Sequence, residues 1–100
     1  MIKHIVMWRL KDFANNTSKI DNALRLKETL ESLKDKIPEV QKIEVGININ
    51  RSGAAFDVIL YSEFDSMRNL DAYQKHPEHE KIVDFVNQVR SERAVVDYEA

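Results

Sequence analysis

Three histidines, at positions 4, 76 and 79, carry most of the chemistry open to this chain, and the last two frame the tetrapeptide His76-Pro77-Glu78-His79 three residues after Tyr73. An imidazole with its ordinary pKa near 6.5 takes or gives a proton around neutral pH, and a tyrosine hydroxyl can hold a carbonyl or enolate oxygen. The chain has no cysteine, which removes thiolate nucleophiles, disulfides and thiolate metal sites. His76 and His79 with Glu78 or Glu80 offer nitrogen and oxygen donors within one turn. No His-Glu-x-x-His pattern accompanies them, and the intervening proline restricts joint ligation, so no metal site is expected. The His-Pro step makes His76 a turn or capping residue.

These side chains sit in a chain that composition assigns to one ordered domain spanning residues 1–100. Of its 100 residues 43% are apolar and 32% charged, with two glycines and two prolines, enough for a single core and no second one. Fifteen basic and seventeen acidic residues, for a net charge of -2, are spread along the whole length. No single-sign field results, and no nucleic-acid partner is expected. The opening run Met1 to Leu10 is interrupted by Lys3, His4 and Arg9, and no small-residue cleavage site follows. It reads as neither a signal peptide nor a membrane span, and a soluble, cytoplasmic protein is expected.

The elements that must position the histidines follow from periodicity. Ile2, His4, Val6, Trp8 and Leu10 alternate with Lys3, Ile5, Met7 and Arg9, so residues 2–10 form a strand with apolar groups on both faces. Ile20, Leu24, Leu26, Leu30, Leu33 and Ile37 recur at helical steps between an N-cap at Thr17 or Ser18 and a stop at Pro38. Val40–Asn50 alternates as a second strand, Arg51-Ser52-Gly53 is turn material, and Phe56–Phe64 is a third strand pairing with the second as a hairpin. Asp65-Ser66 caps a short helix with Met67, Leu70 and Tyr73 on its inner side. Pro77 then begins another, with Ile82, Phe85, Val86 and Val89 as its buried stripe. Arg93–Glu99 is a terminal strand. The charged groups Lys34-Asp35-Lys36 and Glu78, Glu80, Lys81 read as solvated helix faces.

The order β-α-β-β-α-α-β predicts an α+β, ferredoxin-like domain: a four-stranded antiparallel sheet with its helices on one face. The other face then lacks a cover. Either Ile2, Val6 and Trp8 or their neighbours of opposite parity stand on it, and an apolar sheet face of that size calls for a partner, most simply a second copy in a homodimer. Trp8 and the stripe Ile43, Val45, Ile47 are expected in the core or that interface.

The stretches MIKHIVMWRLKD, IPEVQKIEVGININ, FDVILYSEFDS, LDAYQKHPEHEKIVDFV and VVDYE together resemble the stress-responsive A/B barrel family along essentially the whole chain. The resemblance implies a dimeric α/β barrel with a cleft between sheet and helices in each subunit. It also implies chemistry known for one plant polyketide cyclase of the family, an aldol condensation. Its strand histidine, tyrosine and second histidine of the H-P-x-H segment match His4, Tyr73 and His79 here. In that reading His79 is the base, and Tyr73 and His4 orient the ligand or hold its oxyanion. The cyclase has a further histidine at the start of its third strand, where this chain has Phe56-Asp57-Val58. The expected ligand is a small apolar or aromatic carbonyl compound, with no cofactor. The alternative is a non-catalytic stress or interaction protein whose role rests on the stable barrel. A haem- or flavin-associated monooxygenase of the related dimeric barrels fits the motifs less well.

Overall fold

A computed structural model describes all 100 residues. The first strand, β1 (Ile2–Leu10), lies inside the sheet, and its period of two decides what each face of the sheet becomes. Ile2, His4, Val6, Trp8 and Leu10 are buried, whereas Lys3, Ile5, Met7 and Arg9 are half-buried. After β1 comes a small hairpin, β2 (Phe13–Ala14) and β3 (Thr17–Ser18), turned by Asn15 and Asn16 at φ 55 and 63°. Asparagine tolerates that left-handed conformation, which a two-residue hairpin turn demands. Next are α1 (Lys19–Glu31), α2 (Leu33–Lys36), β4 (Lys42–Ile47), β5 (Val58–Phe64), α3 (Met67–Lys75), α4 (Pro77–Val89) and β6 (Arg90–Glu99).

The four long strands run β4-β5-β1-β6, every pair antiparallel, which is the ferredoxin-like order. The helices cover the face bearing the even-numbered residues of β1. Val45, Val58, Leu60 and Phe64 of the sheet meet Leu26, Leu30, Leu33, Leu70, Val86 and Val89 of the helices in one core. Enclosing a leucine such as Leu26 contributes about 1.5–3 kcal/mol. The open face bears Ile5 and Met7, with Ile59 and Tyr61 beside them on β5 and Ala94 and Val96 on β6. The opposite-parity set is therefore the one left uncovered.

Several boundaries differ from the periodicity. The first helix ends at Ser32, whose hydroxyl donates to the Thr29 carbonyl at 2.6 Å, and α2 resumes until Pro38 forces Ile37 into extended backbone. Ser18 is its N-cap. Its buried stripe is Ala23, Leu26 and Leu30 with Asn22, while Ile20 and Leu24 lie on the far side and are exposed. In α3 Met67 is likewise exposed, and Leu70 and Tyr73 face inward. The second strand stops at Ile47: the Asn48 side chain bonds both the N–H and the carbonyl of Asn50, turning the chain out and leaving Ile49 95% exposed.

One edge of the sheet is closed by side chains. Lys27 Nζ donates to the Val45 carbonyl at 2.6 Å, and the Glu31 carboxylate accepts from Val45 N at 3.1 Å and from Lys27 at 2.9 Å. One turn of α1 thus satisfies both backbone groups of Val45, at the middle of the β4 edge that faces away from β5. The Lys27 ammonium and the Val45 N–H hold the Glu31 carboxyl below the usual carboxylate range. Glu31→Ala should lower the unfolding free energy by about 1 kcal/mol, measured by urea denaturation. An unchanged midpoint would mean that the clip does not hold α1 on β4.

Candidate functional site

His4 is 2% exposed, and the strand parity that buries it also requires that its ring be satisfied inside the core. Asp97 stands directly opposite on β6, and its Oδ1 lies 2.5 Å from His4 Nδ1. A carboxylate only accepts, so Nδ1 carries the proton and Nε2 is the second nitrogen available for chemistry. Neutral, it accepts there; protonated, it donates there with Asp97 as counter-ion.

His79 arrives by a different route. Ser66 caps α3 by accepting from Asn69 N. His76 then ends that helix and caps the next, its Nδ1 accepting from Glu78 N at 3.1 Å, with Pro77 at the first helical position. His76 is a capping residue, as the His-Pro step predicted. The first turn of α4 carries His79 back over the sheet, where its Nδ1 bonds the Gln74 carbonyl at 3.0 Å. A carbonyl also only accepts, so Nδ1 is again the protonated nitrogen. Burial holds the His79 pKa below its ordinary value. The bond to Gln74 and the Glu80 carboxylate pull the other way, and the Arg93 guanidinium pushes it further down.

Tyr73 joins the two histidines in one aromatic cluster. Its ring centroid lies 4.6 Å from His79, 5.0 Å from Phe64 and 6.4 Å from His4. The side chain is fully buried, its hydroxyl has no hydrogen-bond partner, and burial pushes its pKa above the ordinary phenol value. His4 and His79 border the same cavity, of about 80 Å³, together with Trp8, Leu60, Val86 and Gln74. Tyr73 is not in its wall; it stands behind His79 and sets that ring's place. Asp57, at the start of the third predicted strand, has its carboxylate engaged by Leu10 N at 2.7 Å and by Lys19.

The residue that sequence reasoning undervalued is Asp97. In the sequence it is one carboxylate in a terminal strand, and only the pairing of β6 with β1, 93 residues apart, puts it on His4.

The model of the stress responsive A/B barrel domain matches residues 2–100 of the chain. The chain belongs to the stress-responsive A/B barrel domain family. A stress-response A/B barrel domain-containing protein of Arabidopsis thaliana is 25% identical over 98 residues, covering 98% of this chain and 46% of the relative. The A/B barrel domain described here therefore spans about half the length of the curated relative it matches. Among solved structures, a dimeric protein of unknown function with a ferredoxin-like fold from Bacteroides fragilis is 38% identical. Its TM-score is 0.88 over 99% of this chain and 95% of that one. The hydroxynitrile lyase of Passiflora edulis, 17% identical with a TM-score of 0.80 over 97% and 90% of the two chains, shares the fold.

The depressed pKa of His79 ties the stability of this A/B barrel domain to pH. Its unfolded imidazole titrates near 6.5 and its folded one lower, so as pH falls through 6.5 the unfolded chain binds protons first. Stability should be full above that value and fall below it. Urea midpoints between pH 7.5 and 5 should show the loss, and His79→Gln should flatten it; the same slope in the variant would exclude His79 as its source.

Proposed function

We propose that this A/B barrel domain acts as a homodimer whose subunits each hold a small apolar or aromatic carbonyl compound and transfer a proton from the carbon beside its carbonyl. The observation that supports this is that two imidazoles on separate elements, His4 and His79, border one partly open, largely apolar cavity, each with Nδ1 tied to an acceptor. His79, kept neutral by burial, takes the proton at Nε2 as the C–H bond breaks and its electron pair moves onto the carbonyl oxygen. His4 in its protonated form donates from Nε2 to the resulting enolate, with Asp97 balancing the charge. Tyr73 positions the His79 ring. Val6, Leu60, Ile82 and Val86 receive the apolar body of the ligand.

The homodimer reading rests on the open sheet face. Ile59, Val96 and Tyr98 on it are 39%, 59% and 45% exposed, and Ile49 projects beside an apolar hollow floored by Met7, Phe56 and Ile59. Three of the polar groups on this face satisfy one another. Lys3 Nζ donates to Tyr61 Oη at 2.7 Å and to Glu63 at 3.0 Å, and the Tyr61 hydroxyl donates to Glu63 at 2.5 Å. That cluster can be covered without stranding a charge, while Lys42 and Glu44 stand on β4 at the margin of the face.

Solvent-deuterium exchange at the activated carbon of a panel of poly-β-ketones should be accelerated by the protein and slowed about 100-fold or more by His79→Gln, with His4→Gln also impaired. Equal rates in both variants and wild type would sink the catalytic reading and leave assembly as the role. Separately, Ile59→Glu should reduce the mass seen by light scattering from two chains to one. Two chains in both proteins would place the contact elsewhere.

A further inference from the structure

The polar groups around the cavity are unequally distributed by sign. Two arginines, Arg90 and Arg93, line it and no aspartate or glutamate does, although acids outnumber bases in the chain as a whole. Neither arginine takes part in an ion pair: Arg9 is the one that pairs with Glu92, on the opposite face of the sheet. Arg90 Nε donates to Asn87 Oδ1 at 3.1 Å, and the Arg93 guanidinium has no hydrogen-bond partner. Arg93 lies opposite Trp8 in the β1–β6 ladder, which fixes it on the helix side of the sheet where the cavity is. Trp8, another wall residue, is 5% exposed and its indole N–H also has no partner. A buried donor left unpaired is unfavourable, and an acceptor brought by a ligand relieves it.

Resting on the reading of this cavity as a ligand site, we propose that its ligand is a small organic acid, the carboxylate held by Arg93 with Arg90 beside it and the apolar body against Val6, Leu60 and Ile82. The planar guanidinium matches a carboxylate with two parallel hydrogen bonds, and no wall carboxylate opposes the incoming charge. Combined with proton removal beside a carbonyl, the substrate class becomes the oxo acids, and the same two positive charges favour the enolate that forms.

Trp8 is the chain's one tryptophan, so its emission reports on the cavity. The homodimer is titrated with benzoate and with the neutral isostere benzamide, and likewise with butanoate and butanamide. Both acids should shift the emission saturably, both amides should bind at least about tenfold more weakly, and Arg93→Gln should weaken the acids by about tenfold while leaving the amides unchanged. Arg93 is exposed, so the substitution leaves the fold intact. Amides that bind as well as acids, or acids unaffected by both Arg93→Gln and Arg90→Gln, would overturn the organic-acid proposal and leave a cavity for neutral compounds. Silence from all four probes would overturn the cavity reading together with it.

Discussion

The alternation along β1 is the constraint on which the rest depends. It is paired on both sides over nearly its whole length, so its even and odd residues are assigned to the two faces of the sheet with no freedom to compromise. Slipping it by one residue would put Lys3 in the core and His4 on the open face. With the register held, the even set packs the helices, the odd set forms the uncovered face, and a histidine is carried into the core. That histidine must be satisfied there. Asp97 on the facing strand does so, and the same pairing sets Arg93 opposite Trp8.

The second half of the site is governed by helix ends and not by strand register. Two consecutive caps, Ser66 and His76, with Pro77 as the first residue of α4, fix where that helix begins and so where His79 sits. Tyr73 and Phe64 then fill the space between helix and sheet, and the ring of Tyr73 is the wall against which His79 rests. Local chain chemistry places one imidazole, long-range pairing places the other, and the packing of α4 on β1 brings them to one cavity.

This division also explains what was legible in the sequence. Periods of two and of three to four gave every long element, and the cap signals at Ser18, Ser66 and His76 are local and were readable as such. The A/B barrel motifs singled out His4, Tyr73 and His79, which the fold gathers into one cluster, though Tyr73 lies behind the cavity wall. Which parity of β1 faces the helices was undecided by a strand apolar on both sides. The exposure of Ile20, Leu24 and Ile49 went unread because hydrophobicity alone does not say which apolar residues a finite sheet can cover. Asp97 and Arg93 acquire meaning only through β6, which pairs with the far end of the chain.

The clip made by Lys27 and Glu31 on Val45 has a consequence for growth. A sheet with two bare edges is a template at both ends, and copies can add without limit into a fibre. Here β4 is stoppered at its middle by its own helix, so a further strand can enter only alongside β6. Two copies that met there would do so across a two-fold axis, each consuming the other's vacancy and presenting a stoppered margin outward. Polymerisation through the strands is thereby self-terminating: the fold tolerates an accidental pair and denies it a third member.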